Sequence, residues 1–361
     1  MPAQTVNYQC PACMGPLHFS GETGTLQCDY CGSSYSPAEI EALYETKEEK
    51  AEAAFQQAEE AGQDEFSWTP EGMRAYSCPS CGAELVCDET TAATSCPYCG
   101  NPTVVPGQFS GMLKPDYIIP FKLSKDDAVA ALKKYYKGKR LLPKVFSKEN
   151  HITELQGIYV PFWLYDGTAQ GRISANGEIA RSWTEGDYEI TETEYYRVER
   201  AGNVEFHRIP VDGSTKMPDD HMDSIEPYDY GEMTDFSTAY LPGFLAEKYD
   251  VDAKESQSRA TQRMKNSLEG LLLGTMEGYT AKTVTNQNMG CKEIKTKYAL
   301  LPVWMLHTKW QDKDYLFAMN GQTGKLIGDL PISKGRFAAW MAGIAVPLMA
   351  LTTAIIYLIG R

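Results

Sequence analysis

Eight cysteines arranged as four C-x-x-C pairs constrain this chain more than any other feature of its 361 residues. Cys10 and Cys13 are followed after 14 residues by Cys28 and Cys31, and Cys78 and Cys81 are followed after the same interval by Cys96 and Cys99. A C-x-x-C turn offers two sulfurs to one side of an ion, and a hairpin arm returns a second turn to complete a tetrahedron. The spacing therefore predicts two zinc ribbons, each holding one structural Zn2+ through four thiolates. A site closed by four protein ligands leaves no position for a reacting water, which argues against catalytic zinc. Iron in a rubredoxin-like site would use the same donors. A dithiol redox pair is disfavoured, because both pairs of each ribbon are taken by the ion. Glycine directly follows a knuckle cysteine at Gly32, Gly82 and Gly100, where a left-handed backbone lets amides approach the sulfur. Met14-Gly15 follows Cys13, so that knuckle departs from the pattern.

Thiolates of this kind belong in a reducing compartment. The opening Met1 to Cys10 has neither a basic start nor an apolar core, so no signal peptide is read there. Near the other end, Phe337 to Ile359 is 23 residues without a charge. As a helix it would reach roughly 34 Å, enough to cross a hydrocarbon core of about 30 Å. Trp340 and Tyr357 lie near its two ends, as interfacial anchors do. Lys334 and Arg336 precede it and only Arg361 follows, so the positive-inside rule places the N-terminal bulk in the cytoplasm. The expectation is a single-pass, tail-anchored membrane protein.

Between these ends the chain divides into a first ribbon (1–36), an acidic helical linker (37–70), a second ribbon (71–107), an α+β domain with antiparallel sheet (108–332) and the transmembrane helix (337–359). Ser36-Pro37-Ala38-Glu39 reads as a capping box opening the linker helix. A helix is expected from Ser124, with Asp127 at N3, through Tyr136, and another from Asp252 to Met276. Ile158 to Asp166 reads as a buried strand, with further strands at Tyr298–Trp310 and Tyr315–Met319. Asn176-Gly177 predicts a hairpin turn, and Tyr188–Arg200 with Asn203–Val211 a second strand pair. Val160 to Leu164 and Leu301 to Met305 echo each other, each leading to an Asn-Gly, which suggests a repeated β-unit within one sheet.

No phosphate-binding loop, H-E-x-x-H or G-x-S-x-G occurs, so the sequence offers no familiar catalytic engine. The acidic run Asp219, Asp220, Asp223, Glu226 and Asp229 reads as a solvated loop. The formal net charge is -14, and eight zinc-bound thiolates would take it to about -18. Such a chain repels nucleic acid on average. The ribbon arms, Met14–Gln27 and Gly82–Ser95, contain no Lys or Arg. One basic patch stands out, at Lys133, Lys134, Lys137, Lys139, Arg140, Lys144 and Lys148, suited to anionic lipid or to nucleic acid. The function expected is a non-catalytic scaffold or adaptor that binds a protein partner through its ribbons and linker helix, positioned by the α+β body. A nucleic-acid-binding module at the membrane and an unrecognised enzyme in the α+β domain stay open as alternatives.

The two ribbons, with Asp88 to Thr94, Tyr159 to Leu164, Met222 to Pro227, Gly243 to Val251 and Ala318 to Lys325, resemble a bacterial family labelled TFIIB-type zinc-ribbon proteins, over nearly the whole chain. Some members carry the label of primosomal replication-restart helicases, which this chain is too short to be. The resemblance implies zinc and a bacterial cytoplasm, and no activity.

Overall fold

The computed structural model describes residues 3–4, 8–45, 73–78, 84–88, 91–95, 102–104, 114–147, 152, 154–311 and 313–359. The architecture is mixed α+β, with antiparallel and mixed sheets and one C-terminal apolar helix.

After β1 (Ala3–Gln4), the first cysteine unit is a three-stranded antiparallel sheet of β2 (Leu17–Ser20), β3 (Thr25–Cys28) and β4 (Ser34–Tyr35). Helix α1 follows at 37–45, opened by the expected capping box: the Glu39 amide donates to Ser36 Oγ and the Ser36 amide to Glu39 Oε2. The rest of the linker lies outside the described residues. Next come two hairpins, β5 (Met73–Ser77) with β6 (Glu84–Asp88), and β7 (Thr91–Ser95) with β8 (Pro102–Val104).

The body is organised around two antiparallel strands of 30 residues each, β10 (Gln156–Glu185) and β14 (Ala281–Trp310). Short β9 (Tyr117–Ile118) precedes them, and β11 (Tyr188–Asp212), β12 (Thr234–Asp235), β13 (Leu245–Glu247), β15 (Lys313–Asn320) and β16 (Leu326–Gly328) complete the sheet. The hairpin β7–β8 joins that sheet through β13, where Ala246 faces Ala93. Helices α2 (Lys125–Tyr136), α3 (Asp219–Ser224) and α4 (Ala253–Gly274) pack around it, and α5 (Lys334–Ile359) ends the described chain.

Ile158 to Tyr165 is buried on both faces, as its unbroken apolar run requires. Ile158, Val160, Phe162 and Leu164 pack with Met217, Met222, Ile225 and Tyr228, while Tyr159, Trp163 and Tyr165 point into the larger core. Farther along β10, Ala169, Ile173 and Ala175 lie under α4, whose buried Ala260, Met264, Leu268 and Leu272 recur every four residues. Small strand residues let the helix lie close.

The same contacts occur twice. β9 runs parallel to β14 at Ala299 and Leu300, and β13 runs parallel to β10 at Ile158 and Tyr159. Each short strand leads to a helix capped by a polar side chain, Ser124 for α2 and Asp252 for α4. Just before the cap, two amides donate to one glycine carbonyl: Lys122 and Leu123 to Gly321, Asp250 and Val251 to Gly213. A tryptophan closes each junction, with Trp304 Nε1 donating to Leu123 O at 3.1 Å and Trp163 Nε1 to Val251 O at 2.9 Å. The two glycines donate in turn to Pro302 O and Pro161 O, both at 2.8 Å. The echoing segments pair with each other, Val160 opposite Leu301.

The predicted turn at Asn176-Gly177 does not form. Both residues sit mid-strand, Asn176 opposite Arg197 and Thr283. A Cβ on Gly177 would fall 2.5 Å from the Tyr279 ring, so this glycine serves close packing rather than reversal. The turn is at Gly186-Asp187, with Gly186 at φ 63. Tyr188 to Asp212 is accordingly one strand, not two. The counterpart of Asn320-Gly321 is Asp212-Gly213. The acidic run stays largely exposed, but part of it is helical and ion-paired rather than a free loop. Asp219 and Asp223 lie on α3, where Arg259 meets Asp219, Asp223 and the buried Asp212, and Arg263 meets Asp223 and Glu226. The arginines, four apart on α4, are mostly buried and pair the buried Asp212 and the partly buried Glu226, where charges must be paired, while reaching the more exposed Asp219 and Asp223.

Candidate metal centre

Cys10, Cys13, Cys28 and Cys31 converge, with all four Sγ atoms within 4.8 Å of one another. Cys10 Sγ is 3.5 Å from Cys31 Sγ, and Cys13 Sγ is 3.4 Å from Cys28 Sγ. Four sulfurs about 2.3 Å from a single zinc would stand roughly 3.8 Å apart, so the cluster is already close to a tetrahedron's dimensions. The donor set fits a thiophilic ion.

The two knuckles are built alike. The amide of Met14 donates to Cys10 O at 2.8 Å, and the amide of Gly32 to Cys28 O at 2.9 Å. The amide of Cys10 donates to Gly15 O at 2.7 Å, and that of Cys28 to Ser33 O at 3.0 Å. Met14 takes φ 65 where Gly32 takes φ 72. The expected departure at Met14-Gly15 is thus in residue type alone: Met14 adopts the left-handed backbone that glycine adopts in the other knuckle. Gly15 is needed for a different reason. A Cβ there would meet Tyr30 Cδ2 at 3.0 Å and Cys28 Sγ at 3.2 Å.

The surroundings split the thiols: at Cys13 the Gly15 amide favours thiolate, but hydrogen bonds with Cys28 and Cys31 outweigh it and push that thiol up to about 12, while Cys31 and Cys10 are lowered. Hydrogen bonding from the Ser33 hydroxyl and amide pulls the Cys31 thiol down to about 6. Burial raises the Cys10 thiol, but the amides of Ala12 and Cys13 and the Tyr35 hydroxyl outweigh it, and the thiol falls below its usual value. Tyr35 Oη is 3.7 Å from Cys10 Sγ. Neither Ser33 nor Tyr35 is singled out by the cysteine spacing. Their only sequence signal is a hydroxyl two or four residues after the last cysteine.

One side of the unit is fixed to the body. Cys10 and Cys28 are buried and share the main core with Tyr8, Leu17, Phe19 and Leu26. Tyr8 Oη lies 2.5 Å from Thr238 Oγ1, Phe19 stacks edge-on to Tyr240, and a Cβ on Gly21 would strike Phe121 O. The other side is open: Cys13 and Cys31 are exposed, beside Met14 at 64% and Tyr30 at 78% exposure.

The second cysteine set is described in part. Cys78 is buried at the end of β5, while Cys81, Cys96 and Cys99 lie outside the described residues. The strands around them carry a common register. In the first unit the residue before each leading cysteine pairs with the sixth after it, Gln9 with Pro16 and Gln27 with Ser34. Ser77 pairs with Glu84 and Ser95 with Pro102 in the same way around Cys78 and Cys96.

At the C-terminus, α5 is long and apolar enough to cross a membrane, and none of its most apolar stretch is buried. It begins at Lys334, one turn before the uncharged run.

Sheet body, four-cysteine cluster and apolar C-terminal helix together define an α+β protein with a candidate metal centre and a candidate membrane anchor. The chain is 38% identical over 340 residues to the Bacillus subtilis (strain 168) protein named Uncharacterized protein YdjG, covering 94% of each, and it belongs to the same family. No family model matches the chain, and no solved structure does.

Proposed function

We propose that this protein is a non-catalytic adaptor, tethered to the membrane by α5 with its body in the cytoplasm. It holds two structural zinc ions, one on Cys10, Cys13, Cys28 and Cys31 and one on Cys78, Cys81, Cys96 and Cys99. The shared strand register around all four C-x-x-C turns supports the second site, since it gives every turn the same span to bridge. The cysteine units are zinc ribbons of the TFIIB-labelled kind on this reading. The doubled junctions at Trp163 and Trp304 support a tandem β-α-β-β repeat in the body.

One observation carries the adaptor reading. The first ribbon is clamped to the body on one side and presents Met14 and Tyr30 on the other, beside exposed ligands. Exposed aromatic and thioether side chains on a rigid turn suit protein recognition. The arm carries no Lys or Arg to meet a phosphate backbone.

The test is a crosslinking capture from native membranes with metal content measured on the same sample. Wild type should carry two zinc ions and a reproducible protein partner. Met14→Ser with Tyr30→Ala should keep both ions and lose the partner. Cys81→Ser should keep the partner-facing first ribbon and carry one ion. Partner capture that survives loss of Met14 and Tyr30 would remove this face from the reading.

A further inference from the structure

Helix α5 does not leave the body freely. The Ser333 amide donates to Leu141 O at 2.9 Å. The Arg336 guanidinium donates to Leu142 O, and also reaches Arg140 O at 3.5 Å. The Arg140 guanidinium carbon sits 5.5 Å from the centre of the Trp340 ring. The loop after α2 is therefore fastened to the first two turns of α5. Trp340 is about 9 Å along the axis from Lys334, at the start of the uncharged run, where interfacial tryptophans gather at the level of the lipid headgroups. Whatever depth Trp340 takes, Arg140 shares it.

The rest of the basic patch surrounds this point. Lys137, Lys139 and Lys144 are exposed within a few residues of Arg140, and Lys334 is exposed at the helix start. Lys139 Nζ lies over the Tyr135 ring at 5.4 Å, and Tyr135 is pinned by its hydroxyl to Gly328 O. No Asp or Glu occurs from Ala128 to Ser147. The nearest acid before the anchor, Asp329, is turned to His221 Nε2 at 3.3 Å. In a chain of net charge -14, cations without interleaved acids at the membrane entry form a segregated charge face. The opposite extreme is the tip of the β10–β11 hairpin, with Glu185, Asp187, Glu189 and Glu192 exposed.

We propose that the end of α2, the loop 137–143 and the turn Lys144–Ser147 form a membrane-docking face that binds anionic phospholipid headgroups of the leaflet α5 enters. The proposal rests on the membrane reading of α5. It fixes the orientation of the body as well as its attachment: basic residues near an anionic surface are attracted within a Debye length, while the acidic hairpin tip is repelled. It also explains why the basic side chains gather on a chain that is otherwise acidic.

The test uses the full chain in nanodiscs of phosphatidylcholine alone and of phosphatidylcholine with phosphatidylglycerol. Amide exchange over 133–147 should slow on the order of tenfold in the anionic discs, and the difference should shrink at high salt. Exchange in the paired centre of β10 and β14 should be the same in both. Lys137→Gln with Lys139→Gln and Lys144→Gln, all at exposed positions, should abolish the difference without altering the sheet. Equal exchange over 133–147 in the two discs overturns the docking face. Equal protection by inorganic phosphate in neutral discs also overturns it, by showing a site for a free anion. A chain that stays in the aqueous fraction without detergent and never enters discs overturns the anchor itself, which is a separate readout.

Discussion

The cysteine unit at 8–35 and the sheet body reverse their chains by opposite means. The unit has strands of four, four and two residues. A unit this small cannot bury enough surface to hold itself, and a metal or other staple is the usual remedy. Two of its candidate donors, Cys10 and Cys28, are core residues as well, packed among Leu17 and Leu26, while Cys13 and Cys31 are exposed. The body has strands of 30, 25 and 30 residues, and its corners are held by backbone amides, two glycine carbonyls and two tryptophans. The difference teaches where each region can be broken. The unit depends on a few atoms close in sequence, and the body on many contacts far apart in sequence.

The largest expected effect separates them outright. Cys28→Ser, or removal of metal by a chelator, should abolish amide protection across 8–35, because structural zinc contributes roughly 10–16 kcal/mol to such units. Protection in the centre of β10 and β14 should persist. Exchange measured alongside metal content checks this, and simultaneous loss in both regions would make cysteine unit and body one cooperative unit.

A middle-sized effect probes the body alone. Trp163→Phe and Trp304→Phe each delete one indole donor and leave a carbonyl without it, at a cost of about 1–3 kcal/mol in urea unfolding. Metal content should not change. Similar costs at the two positions would strengthen the equivalence of the two junctions, whereas a cost confined to one would dissolve it.

The smallest effect tests a device the two regions share. The Ser36 amide and hydroxyl hold Glu39 below the usual carboxylate range, and the Ser124 hydroxyl and amide do the same for Asp127. A lowered folded value means that the capping contribution is present above the ordinary carboxylate range and lost as pH falls through the lowered one, below about pH 4. Glu39→Gln and Asp127→Asn should each flatten the acid limb of helix content followed by circular dichroism, and by similar amounts. A much steeper acid limb for one of them would tie that cap to its surroundings rather than to its own helix.

The helix starts at Ser36, Ser124 and Asp252 were legible because an N-cap is local: the capping side chain and the amide it accepts from lie three apart. The convergence of the first four cysteines was legible for the same reason, since each knuckle closes within six residues. The hairpin turn was not. Asn176-Gly177 has turn chemistry, but Tyr279, a hundred residues away, fills the space that Gly177 leaves and keeps the strand straight. The acidic run was misread because its partners, Arg259 and Arg263, belong to a helix that the sequence does not place beside it.

Ligand chemistry, helix caps, the buried double-faced strand and the apolar C-terminal helix were set by residues near one another in the chain, where spacing and polarity act directly. Tertiary structure alone decided which turn forms, which carboxylates find arginines, and that Arg140 stacks on Trp340 near the start of α5. Those outcomes depend on surfaces brought together from distant segments, and their energies exist only once the sheet has placed them in contact.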